Sequence, residues 1–195
     1  TLNDGINSAD CMHYILQGNN VLVKNCHKRF VEEFAQLIFT HGQKPEYMRV
    51  FAAMTVGLND QDSNMKSVQN NISRFLTSRE WQTRILLWCC ASDSNAYAQR
   101  AYAMSQYPDN KNRPIPLEDL SSDLQYHILL LNVMARCNLG PKLQAIYQLD
   151  DIVFAIIDKK TIFPVRIALG KCLEQLVCNG ADLFISSEYM WLFFE

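Results

Sequence analysis

The 195-residue sequence predicts an all-α fold, on three observations. Apolar residues recur at the i, i+3, i+4, i+7 spacing that collects side chains on one helical face. No alternating strand pair joined by an Asn-Gly or Asp-Gly turn is present, and the lone Asp4-Gly5 has no strand before it. With 49% hydrophobic and 19% charged residues, the chain has enough apolar surface to fold around a sizeable core.

The first predicted helix is "ADCMHYILQ", with Ser8 ahead of it and Gly18 able to end it. Phe30, Phe34, Leu37 and Ile38 form the next stripe. Pro45 sits where a first turn tolerates proline, and it opens "YMRVFAAM", whose inward face is Tyr47, Val50, Phe51 and Met54. Met65, Val68, Ile72 and Phe75 make a further stripe. Thr77 and Glu80 have capping-box spacing before "WQTRILLWC", a segment that also reads as a short strand.

The clearest break is "YPDNKNRPIPLED", residues 107–119, where three prolines and several polar residues stop any helix. It reads as a loop between two helical layers or a subdomain boundary within one domain spanning 1–195. Beyond it, Ser121 or Ser122 can cap a helix carrying Leu124, Ile128, Leu131 and Ala135 towards Cys137.

"LDDIVFAIIDKKTIFPVRIALGKCLEQL" then predicts a short apolar helix, a polar turn and a second helix opened by Pro164. Val165, Ala168, Leu169, Cys172 and Leu176 face inward on that second helix. Asp150 and Asp151 fall in the first turn of the short helix, where carboxylates meet unpaired amides and the positive end of the macrodipole, each worth about 0.3–1 kcal/mol. No further aspartate follows at metal-diphosphate spacing, so the pair is a helix start. This helix–turn–helix, with its second helix beginning Val-Arg, resembles an armadillo or HEAT unit, which stacks on its neighbours.

The formal net charge is −2, and no run of like charges gives a nucleic-acid footprint. Seven cysteines (Cys11, Cys26, Cys89, Cys90, Cys137, Cys172, Cys178) are odd in number, lack C-x-x-C spacing and follow no signal peptide, so reduced thiols are expected. No apolar stretch is long enough to cross a bilayer, and no membrane contact is expected. The start at Thr1 and the apolar end "YMWLFFE" predict a piece of a larger protein.

Candidate chemistry is sparse. His13, His27 and His41 are evenly spaced, but Gly18 and the Asn25 region break the helix that would align them, so no metal site is predicted. Cys11-x-His13 and Cys26-His27 lack an oxyanion motif and an acidic orienter, and adjacent Cys89 and Cys90 point about 100° apart on a helix. Phosphate loops are absent, so neither a catalytic residue nor a cofactor is expected. Lys24, Lys28 and Arg29 form the best basic cluster, suited to an anionic headgroup or acidic partner, with a solvated helix face as the alternative. Asn71-Ile72-Ser73 is a glycosylation sequon by pattern only. Trp81, Trp88 and Trp191 read as core aromatics.

In order and spacing, the segments "LNDGINSADCMHYILQGNNVLVKNCHKRFVEEFAQLIFTHGQKPEYMRVFAAMTV" and "YHILLLNVMARCNLGPKLQAIYQLDDIVFAIIDKKTIFPVRIALGKCLEQL" resemble the RIH domain of intracellular calcium-release channels. This is the homology domain shared by ryanodine and inositol trisphosphate receptors, and the similarity is nearest to the first such domain of inositol trisphosphate receptors. "YMWLFFE" fits its end, Thr77 to Leu120 match least, and the loop "NRPIPLED" departs from the pattern. The resemblance implies an armadillo-like fold. It also implies a tetrameric parent at the cytosolic face of a calcium-store membrane, with neighbouring channel domains as partners. Inositol trisphosphate would be held by upstream residues absent from this chain, and Lys24, Lys28 and Arg29 do not match the family's main phosphate contacts. The expected role is coupling ligand binding to channel gating. The alternative is a free-standing HEAT/armadillo adaptor, and enzyme function is not expected.

Overall fold

A computed structural model of the chain describes residues 8–26, 28–56, 63–78, 102–107, 114–137, 139, 141–144, 146–147 and 149–178. All regular structure among these residues is helical, with no strand.

Helix α1 spans Ser8–Leu16 and stops where Gly18 takes a φ of +72°, a left-handed conformation that glycine adopts without steric cost. Helix α2, Asn20–Lys24, is a short piece held at both ends by asparagine. Oδ1 of Asn19 accepts from the Leu22 amide at 3.1 Å, and Nδ2 of Asn25 donates to the Val21 carbonyl at 2.8 Å. Gly18 and Asn25 therefore break the helix as the sequence implied. Helix α3, Lys28–His41, ends at Gly42 (φ +90°), whose amide donates to the Ile38 carbonyl at 3.0 Å. Its buried face is Val31, Phe34, Ala35 and Ile38, while Phe30 and Leu37 are only half-buried at its margin.

Helix α4 runs Pro45–Thr55 and α5 runs Ser63–Thr77. A 3-10 turn at Leu117–Asp119 closes the proline-rich stretch and leads to α6, Ser122–Arg136. Ser121 occupies the N-cap without a side-chain capping bond. Instead its amide donates to the Tyr107 hydroxyl at 2.8 Å, and Nε2 of Gln125 donates to the Leu120 carbonyl at 2.7 Å. The helix start is thus fixed by a tyrosine fourteen positions earlier rather than by the expected serine hydroxyl.

After α6 come the one-turn α7 (Pro141–Gln144), α8 (Leu149–Ile157) and α9 (Phe163–Cys178). Asp150 and Asp151 lie in the first turn of α8, as expected. In the connecting turn, Oδ1 of Asp158 accepts from the Lys160 amide at 2.9 Å, and its carbonyl accepts from Nη2 of Arg166 at 3.1 Å. Pro164 falls in the first turn of α9, where the missing amide costs no helical hydrogen bond. Val165, Ala168, Leu169, Cys172 and Leu176 are all buried, the inward stripe read from the sequence.

These helices pack as a row. α1 lies on α4, α4 on α6, α6 on α9 and α9 on α8, while α2, α3 and α5 pack together beside the α1–α4 end. Core residues from both sides of residues 107–119 belong to one buried cluster. Along the first half, rings of Phe30, Phe34, Phe51 and Phe75 follow one another at centroid separations of 4.9, 6.5 and 5.7 Å, linking α3, α4 and α5. Such tilted and edge-on pairs add about 0.5–1.5 kcal/mol each beyond the area they bury.

Candidate functional site

The sequence singles out Lys24, Lys28 and Arg29, and the structure places all three along the α2–α3 edge. Lys24 ends α2 and is exposed, while Lys28 and Arg29 occupy the first turn of α3. Two cations at the positive end of a macrodipole are disfavoured there. Each is offset by an acid one turn on: Nζ of Lys28 lies 3.1 Å from Oε1 of Glu32, and Nε of Arg29 donates to Oε1 of Glu33 at 2.9 Å. All four side chains are largely exposed, so the pairs add little to stability. Their electrostatic consequence is larger, because each α3 base is matched by an acid one turn on and no convergent cationic pocket forms.

Beside this edge lies an open groove of about 510 Å³ between α1, α2 and α3. Met12, Leu16 and Phe30 give it an apolar floor, Ile15 and Leu22 flank it, and Arg29 with Glu33 forms its polar rim. Cys26 also lines it, half-buried, and burial raises its thiol pKa, which keeps it protonated. Outside the groove, Tyr14 is 74% exposed and Val21 70%.

The remaining candidates are dispersed. Nδ1 of His13 faces the Arg49 carbonyl at 3.1 Å, which requires a proton on Nδ1 and ties α1 to α4. The exposed His41 sits at the far end of α3, its ring 6.5 Å from that of Tyr47. Among the described residues, no group of three or more His, Cys, Asp or Glu side chains is placed to hold a metal ion. Cys11 is exposed, whereas Cys137 and Cys172 are buried free thiols. The hydroxyl of Ser73 in the sequon is buried and donates to the Cys137 carbonyl at 3.1 Å. His27, Glu80, the 81–89 segment with Trp81, Trp88 and Cys89, together with Cys90 and Trp191, lie outside the described residues.

One polar cluster has no signature in the sequence. Arg49, on the mainly apolar α4, donates through Nη2 to Oε1 of Gln125 at 2.8 Å and through Nη1 to Oδ1 of Asp10 at 3.5 Å. Its partners lie 76 and 39 positions away, so only the fold brings them together. The cluster joins α1, α4 and α6.

Among the described residues, no helix is long and apolar enough to cross a membrane. No protein-family model matches the chain.

Proposed function

We propose that the chain is a non-enzymatic helical module of an inositol trisphosphate receptor-like calcium-release channel, an RIH-type domain that couples the ligand-binding region to the pore. The observation that carries this reading is the α8–turn–α9 unit packed on α6, joined to a row in which each helix lies on the next. That layout supports the armadillo/HEAT-like reading of the repeat, and the order of the two sequence segments supports the family. A row of this kind passes rigid-body shifts along its length, because displacing one helix displaces the neighbour packed on it. Lys28 and Arg29, already paired with Glu32 and Glu33, fit a module that does not itself capture the trisphosphate.

The test is ligand-evoked calcium release from store membranes carrying the full-length parent, compared with a Val165→Asp variant. Val165 is fully buried at the start of α9. Retained ligand binding and assembly with impaired release supports coupling. Normal gating in a variant whose repeat is disrupted, or a parent that conducts no calcium, overturns it. A HEAT/armadillo-type adaptor is then the second reading, favoured by the same row of helices, and a parent chain without membrane-spanning segments would select it.

A further inference from the structure

The exposed large apolar side chains of the described residues are unevenly spread. Ile15 and Leu22, at 45 and 42% exposure, line the apolar groove from the consecutive helices α1 and α2, and Val21, 70% exposed, adjoins Leu22, whereas Tyr14, 74% exposed, lies on the side of α1 away from Met12, Ile15 and Leu16. Val56, Tyr102, Ile167 and Val177 lie well apart along the chain. A contiguous apolar surface bordered by charged residues marks an interaction site.

The rim charges identify the occupant. Along α3 the bases come first, Lys28 and Arg29, and the acids follow one turn later, Glu32 and Glu33. A helix edge with that order complements its own copy in the antiparallel orientation, which sets Arg29 against the other copy's acid and Glu33 against its base. In a parallel orientation like charges meet. Two-fold symmetry supplies the antiparallel arrangement, and it requires a surface holding both a projection and a recess. The edge has both: Val21 projects beside Leu22, and the groove floored by Met12, Leu16 and Phe30 receives.

We propose that the α1–α2–α3 edge is a self-association surface, on which a second copy of this chain docks across a two-fold axis with the two α3 helices antiparallel. The apolar patch supplies the affinity, and the rim charges set orientation. The inference is independent of the channel reading. In a fourfold parent, an isologous contact of this kind joins two assemblies rather than neighbours within one ring.

Sedimentation equilibrium on the 195-residue chain at about 100 μM, ample to populate a dimer of micromolar Kd, tests it. The wild type is expected as a dimer. Arg29→Glu leaves acids alone at those two rim positions and Glu33→Arg leaves bases alone. Each variant by itself is expected to associate at least about tenfold more weakly, since like charges then face each other. An equimolar mixture of the two restores the dimer as a heterodimer. Leu22→Asp abolishes association of an otherwise wild-type chain, with unchanged circular dichroism reporting that it is folded. A monomeric wild type, a dimer indifferent to both rim variants, or a mixture that stays monomeric overturns the proposal.

Discussion

Arg49 and Gln125 meet at 2.8 Å, guanidinium Nη2 to amide Oε1, and join α4 to α6 at the centre of the row of helices. Gln125 in turn donates from Nε2 to the Leu120 carbonyl, so the contact also anchors the segment entering α6. Truncating Arg49 to Ala removes this charge-assisted bond and strands the Gln125 amide oxygen in a half-buried site. The expected loss is about 1–3 kcal/mol in urea melts. Asp10→Asn, which loses the longer 3.5 Å contact of two partly exposed side chains and a carboxylate in the first turn of α1, is expected to cost under about 1 kcal/mol. Equal losses from the two variants would contradict this hierarchy.

Leu169 is 4% exposed on α9, and two positions earlier Ile167 is 46% exposed. Leu169→Ala is expected to destabilise by about 2–5 kcal/mol, through lost transfer energy and the cavity left behind. Ile167→Ala is expected to fall within about 0.5 kcal/mol of wild type. Denaturant midpoints measured on both chains check the orientation of α9 directly, and a small effect at Leu169 would turn the helix round.

Burial pushes the thiols of Cys137 and Cys172 up from 9.0 to about 12 each, partly countered at Cys137 by the Ser73 hydroxyl and Arg136 and at Cys172 by Lys171. Between those values the folded chain holds protons that the unfolded chain releases. Stability from these groups is therefore complete below pH 9 and declines as pH rises towards 12. Unfolding free energy followed upward from pH 8 is expected to fall, and replacing both cysteines by Ala flattens that fall while lowering stability at neutral pH. Peptide-resolved alkylation provides a second readout. The exposed Cys11 modifies in the native protein, and Cys137 and Cys172 only on unfolding.

Isolated, the chain is expected to bind inositol trisphosphate negligibly in titration calorimetry. Tight capture of several phosphates needs converging, uncommitted Arg and Lys donors. Here Lys28 and Arg29 are each engaged by a glutamate within the same helix. Micromolar or tighter binding lost on Lys28→Ala would show that the acids release these cations to a ligand.

The sequence alone determined the helical class and much of where helices begin and end, because Gly18, Asn25 and Pro45 act through local backbone geometry that needs no tertiary partner. It determined the α8–turn–α9 unit too, down to the buried face of Val165, Ala168, Leu169, Cys172 and Leu176, since a helix with one covered side writes that side into its period. Tertiary structure decided what the period cannot express. Val50 and Phe51 were legible as inward, but Met48, Ala52 and Ala53 are buried as well, because α4 is covered by α1, α6 and the α3–α5 layer together. The same holds for α6, where Tyr126, Leu130 and Val133 are buried beside the expected Leu124, Ile128 and Leu131. The basic cluster of Lys24, Lys28 and Arg29 was visible in sequence, yet its exposure and the groove beside it depend on α1 packing on α4 and α2 on α5, which sets both beside α3. Arg49 and Gln125 lie furthest from any sequence signal, since a hydrogen bond across 76 positions exists only once the row of helices has assembled.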